Sequence, residues 1–236
     1  MKKVTLYLLI LAILATGSCK KDESNTETYE GAAIVKEEDG KLFINPAIHD
    51  KWFLIHELPN QPLFDGNLIW IAYYVDFNTQ ITRDYVEISY YDYFRIYSSE
   101  PVETPGGISL SGQHNVPLNG MTINSSFGAI LVFMFEQTAR AGESFDYEMT
   151  YAPEMTDEDN IPTLFVRARI YGSGSGTEVT LLVPFAFDMT SLAQKYIDET
   201  TNTMNFKVQY LSDNDEVFSA FVSSNDSEIV TWKIGW

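Results

Sequence analysis

The chain is poor in cysteine, histidine and positive charge, and has no apolar run long enough to cross a bilayer. Among 236 residues there is one cysteine, Cys19, with three histidines and 15 Lys and Arg against 33 Asp and Glu. A lone cysteine excludes an internal disulfide framework, so packing must supply stability, and it excludes a cysteine-built structural zinc site. A formal charge of -18 leaves no ready basic face for a phosphate backbone, so no nucleic-acid partner is expected. The apolar stretch from Val4 to Ala15 is 12 residues, well short of the roughly 20 that span a membrane. His49, His56 and His114 lack the spacing of a helical zinc site and read as solvated loop residues, so neither metal nor cofactor is expected.

What is present begins at the N-terminus. Lys2 and Lys3 precede the apolar stretch, and Leu14-Ala15-Thr16-Gly17-Ser18-Cys19 closes it with small residues before the cysteine. This reads as a lipoprotein signal peptide over 1–18, with Cys19 as the diacylglycerol attachment site. Loss of Lys2 and Lys3 makes the mature chain two charges more negative still. Two or three acyl chains, at about 0.8 kcal/mol per buried methylene, hold a protein at a membrane surface. Lys20-Lys21-Asp22-Glu23 resembles the lysine-plus-acids signal that sends lipoproteins of some Gram-negative groups to the outside of the outer membrane. Residues 19–29 are then a polar, flexible tether.

From Glu30 onward short runs rich in β-branched and aromatic residues alternate with turn residues every 8 to 12 positions, which predicts an all-β protein. Strands are expected at Gly31 to Lys36, Lys41 to Ile44 after an Asp39-Gly40 turn, Trp52 to Glu57, Asn67 to Phe77 and Asp84 to Tyr97. So few strands suit a small five-stranded OB-like barrel over 30–98. Pro101, Pro105, Gly106 and Gly107 mark a linker at 99–111. Seven or eight further strands over 112–236 suggest an immunoglobulin-like β-sandwich, with one or two helical turns at Ser191 to Ile197. In it Phe145, Tyr147 and Met149 alternate with Asp146 and Glu148, and Phe206, Val208 and Tyr210 with Lys207 and Gln209, the pattern of strands buried on one face.

This layout resembles the NigD-like family of lipoproteins. The resemblance is carried by Tyr29-Glu30-Gly31 through Asp39-Gly40-Lys41-Leu42, by Tyr85 to Tyr97, by Phe187-Asp188-Met189, and by Met204 to Leu211 with the turn Asp213-Asn214-Asp215. It implies an OB-like barrel coupled to a β-sandwich behind a lipobox, with a role in immunity. It implies no catalytic residues.

No motif in the chain specifies a reaction. Gly172-Ser173-Gly174-Ser175-Gly176 spells a hydrolase elbow but lies between strand-like runs, and it reads as a flexible hairpin loop. Asp157-Glu158-Asp159 and Asp213-Asn214-Asp215-Glu216 offer calcium-type oxygens without an EF-hand spacing, and an acidic chain places acids in turns anyway. Tyrosines crowd the first domain, and Tyr73, Tyr74, Tyr90 and Tyr91 are its candidate binding residues. Strand neighbours face opposite sides, so one ring of each adjacent pair is expected in solvent as a stacking platform or at a domain border. The expected function is a non-enzymatic, lipid-anchored module at the outer-membrane surface that binds or shields. The alternative is a glycan-binding accessory lipoprotein; a hydrolase assembled from distant loops ranks third.

Overall fold

The computed structural model describes residues 26–48, 52–55, 62–76, 86–105, 115–156, 160–211, 217–219 and 229–234. Cys19, the Lys20 to Glu23 signal, the three histidines and the acidic runs 157–159 and 213–216 lie outside the described residues.

The first five strands form a closed barrel. They are β1 (Thr26–Glu38), β2 (Lys41–Pro46), β3 (Phe53–Ile55), β4 (Leu68–Asp76) and β5 (Val86–Arg95), in the order β1-β2-β3-β5-β4. Asp39 and Gly40 both have positive φ, 52° and 70°, as a tight two-residue hairpin between β1 and β2 requires. Closure depends on the length of β1. Its first part, Thr26 to Ile34, pairs with β4, and its second, Ala33 to Glu38, pairs with β2, so one bending strand serves both neighbours. β3 and β5 meet in parallel and the other pairs are antiparallel. Ala33, Val35, Ile44, Phe53, Ile69, Ile71, Tyr73 and Val75 fill the interior. β1 begins at Thr26, inside the stretch expected to be tether.

Two sheets make the second part. One has β6 (Ser98–Ser99), β13 (Ser175–Asp188), β10 (Ile130–Ala141) and β9 (Gly120–Phe127), in that order. The other runs β15 (Val217–Ser219), β14 (Thr203–Leu211), β12 (Pro162–Tyr171), β11 (Ser144–Thr156), β7 (Val102–Glu103), with β16 (Val230–Lys233) on β14 and β8 (Asn115–Val116) on β12. Between them lies a core of Leu131, Phe133, Phe135, Tyr147, Met149, Phe185, Phe187, Phe206, Val208 and Trp232. The alternation expected at Tyr147/Met149 and Phe206/Val208 is observed, with Asp146 and Glu148 turned outward. Helix α1 (Thr190–Tyr196) covers one end of this core with Leu192 and Ala193. Asp188 starts it by accepting hydrogen bonds from the Thr190 N–H and hydroxyl at 3.0 and 2.6 Å.

Two expectations are corrected. Part of the proline-marked linker is woven into the sandwich: Ser98–Ser99 pairs in parallel with β13, and Val102–Glu103 pairs in parallel with β11. The chain thus leaves the barrel by binding an edge of each sheet in turn. The run Gly172 to Gly176 is not a hairpin, because β12 and β13 belong to different sheets. It crosses between them beside the oppositely directed crossing at Gly142 and Glu143. A Cβ at Gly172, where φ is +88°, would stand 2.4 Å from the Gly142 carbonyl oxygen. Glycine is there for close backbone approach rather than for looseness.

A small apolar cluster joins barrel to sandwich. Ala32, Leu68 and Ile96 meet Val132 and Ala186, with Ile34, Trp70, Phe127 and Ile130 around them. The sandwich therefore covers the barrel along β1, β4 and the exit from β5. The wall around β2 and β3 takes no part in that cluster.

Candidate functional site

The four tyrosines singled out by sequence do not share one surface. Inward positions on β4 run Ile69, Ile71, Tyr73, Val75, so Tyr73 lies in the barrel core with 0% exposure. It stacks on Tyr29 at 5.6 Å between ring centroids and tilts against Phe53 at 5.8 Å. Tyr73 is thus a core residue and cannot be part of an exposed platform. Its neighbour Tyr74 points outward and is 41% exposed. Tyr90 and Tyr91 sit at a bulge in β5, where Ala72 pairs with Asp92 and Tyr73 pairs with Tyr90, leaving Tyr91 as the extra residue. The side chains of Tyr90 and Tyr91 lie outside the described set.

At the same end of the barrel the Tyr29 hydroxyl donates to the Glu27 carboxylate. That bond, then burial and the nearby negative charge, pushes the Tyr29 phenol up to about 12. Burial likewise raises Tyr73 well above the ordinary range. Both phenols are therefore neutral at any physiological pH.

A different aromatic group faces outward on the opposite part of the barrel. Leu42, Ile44, Phe53 and Ile55 point in, so their neighbours Phe43, Trp52 and Leu54 point out. Lys36, Phe43 and Leu54 are aligned across β1, β2 and β3. Trp52 directly precedes Phe53, whose partner Ile44 directly precedes Asn45. The Lys36 ammonium stands 5.6 Å from the centroid of the Trp52 ring and donates to Glu38 at 2.8 Å. Trp52, Phe43 and Asn45 are half-buried and Leu54 is buried. Hydrogen bonding to Glu38, then its charge, raises the Lys36 pKa, so the cation is permanent. In the sequence Trp52 reads only as the start of a strand; its position directly before the inward-facing Phe53 is the signal that it faces outward.

Two polar clusters lie on the sandwich. Lys195 of α1 donates to Glu103 of β7 at 2.5 Å and to the Tyr151 hydroxyl at 2.8 Å, and that hydroxyl donates to Glu103 at 3.0 Å. Tyr196 meets Tyr151 edge-on at 6.4 Å. Hydrogen bonds from Lys195 and then Tyr151 lower the Glu103 pKa, and the bond to Glu103 first of all raises that of Lys195. Each group is fixed in its charged form. That is the electrostatics of a clasp, whereas proton transfer near neutrality needs a pKa close to 7. On the outer face of the second sheet Glu148 accepts from Arg167 and Arg169, each at 2.8 Å. No group of three or more His, Cys, Asp or Glu side chains placed to hold a metal occurs among the described residues.

No protein-family model matches the chain, and no curated protein matches it in sequence. Its fold does have solved counterparts. An uncharacterized protein from Parabacteroides merdae aligns over 88% of this chain and 100% of its own, with a TM-score of 0.63 at 14% identity. A candidate lipoprotein from Bacteroides fragilis aligns over 85% of this chain and 100% of its own, with a TM-score of 0.57 at 12% identity. A NigD-like immunity protein from Bacteroides caccae aligns over 86% of this chain and 94% of its own, with a TM-score of 0.55 at 10% identity. At such identities the likeness is one of fold, and over most of its length this chain has the fold of a NigD-like immunity protein.

Proposed function

We propose that the protein is a non-enzymatic lipoprotein, anchored through Cys19 and displayed at the outer-membrane surface, where it binds or shields and serves in immunity. The observation that carries this reading is the joining of two independent features. A lipobox-like run ends in the only cysteine of the chain, and the remainder has the fold of a NigD-like immunity protein and a candidate lipoprotein. Lys20 to Glu23 supports surface display. The clasp at Lys195, Glu103 and Tyr151 supports the non-enzymatic part, since its ionisable groups are committed to one another.

Fractionation of cells that express the full chain tests the anchor. The wild-type protein should sediment with membranes and incorporate labelled palmitate. Cys19→Ala should abolish the label and release the protein into the soluble fraction. Membrane retention of Cys19→Ala at the wild-type level would contradict the assignment.

A further inference from the structure

The wall made by the last part of β1 with β2 and β3 combines three features. It carries an indole at Trp52, an amide at Asn45 one residue beyond the Ile44–Phe53 pair, and an ion pair, Lys36 with Glu38, whose ammonium lies over the ring. Its β2 and β3 strands contribute nothing to the apolar cluster that joins the sandwich, which takes Ala32 and Ile34 from the earlier part of β1. OB barrels take oligonucleotides or oligosaccharides on the face of their second and third strands. Charge decides between the two. A formal charge of -18 disfavours a polyanion, whereas a neutral sugar meets no such field.

We propose that this wall binds a neutral oligosaccharide, with Trp52 as the stacking plane and Asn45, Lys36 and Glu38 as partners for the sugar hydroxyls. A pyranose presents a face of polarised C–H groups and a rim of hydroxyls. The electron-rich indole face that attracts the Lys36 ammonium attracts those C–H groups too. Asn45 offers both a donor and an acceptor, Lys36 a donor and Glu38 an acceptor, so each kind of hydroxyl contact is available around one ring. Lys36 and Glu38 keep 44% and 59% of their side-chain surface exposed, so they can turn from each other toward a ligand. Half-buried Phe43, aligned with Lys36, extends the apolar floor along the wall.

This inference rests on the reading of the protein as a binding module and assigns that module a ligand class. The test is calorimetric titration of the full chain in detergent with cellohexaose, xylohexaose, mannohexaose and maltohexaose, with heparin as the polyanionic control. Saturable binding of at least one of the four is expected, with no heparin binding. Trp52→Ala should weaken it roughly tenfold or more, the usual effect of removing a stacking ring. Asn45→Ala should weaken it several-fold and carries the test if Trp52→Ala fails to fold, as judged by circular dichroism. Tyr74→Ala, on another face of the barrel, should bind as wild type. Absence of binding at millimolar sugar, binding that survives both wall substitutions, or loss caused by Tyr74→Ala would each overturn the proposal. A protein partner held through Trp52 without any sugar would also overturn it, yet would leave the module reading standing.

Discussion

Tyr147 packs flat on Phe135 with 4.2 Å between ring centroids, and its hydroxyl is buried without a hydrogen-bond partner among the described residues. A buried hydroxyl left unpaired costs about 1 to 3 kcal/mol. Tyr147→Phe keeps the stacking and removes that cost, so it should raise unfolding stability by about 1 kcal/mol at pH 7 in urea melts. A loss of that size would show that the hydroxyl has a partner. The same residue governs behaviour in alkali. Burial raises the pKa of Tyr147, as it does for Tyr73, above the value of about 10 that the unfolded chain shows. Above pH 10 the unfolded state therefore sheds protons that the folded state keeps. Stability should be level below pH 10 and fall above it, by up to about 1.4 kcal/mol per pH unit for each buried tyrosine. Tyr147→Phe should make that fall shallower.

At the scale of elements, the crossing at Gly172 to Gly174 carries a sharper prediction. Gly172→Ala would set a Cβ against the Gly142 carbonyl at a positive φ, so it should destabilise by about 1 to 3 kcal/mol, measurable as a lower urea midpoint. An unchanged midpoint would mean the crossing is loose, as its composition suggests. The long strands were legible in the sequence because period-two alternation survives in one chain, as at Tyr147 and Met149 or Phe206 and Val208. Two-residue strands such as Ser98–Ser99 and Val102–Glu103 were not, since no period fits in two residues and the nearby prolines argued for a linker. Nor does local sequence say which strands share a sheet, which is why Gly172 to Gly176, a crossing, has the sequence look of a hairpin. Alternation required one of Tyr73 and Tyr74 to be inside but left the phase open; the interior series from Ile69 to Val75 fixes it. Pro184 shows pairing deciding what is tolerated. The Ala186 N–H donates to the Tyr97 carbonyl, away from β10, so Pro184, two residues earlier, turns its missing donor to the same open side and costs the ladder nothing.

At the scale of the molecule, an apolar contact and two short parallel pairings among the described residues hold the barrel against the sandwich. Ala32, Leu68 and Ile96 on one side and Val132 and Ala186 on the other are all buried, so the barrel is docked rather than merely tethered. The chain leaves it through β6 and β7, each locked to a different sheet, and the Lys195–Glu103 pair ties β7 to α1. This arrangement fixes the β2–β3 wall in place relative to the sandwich. The acidic surface keeps polyanions away without hindering neutral ligands. All of this has a use at the cell exterior only if the folded chain is displayed there. The most direct measurement is protease treatment of intact cells that express the full chain with a C-terminal tag, followed by immunoblotting with a periplasmic protein as the control. The tag should be lost from intact cells while the control survives. A tag that persists until the outer membrane is permeabilised would contradict surface display.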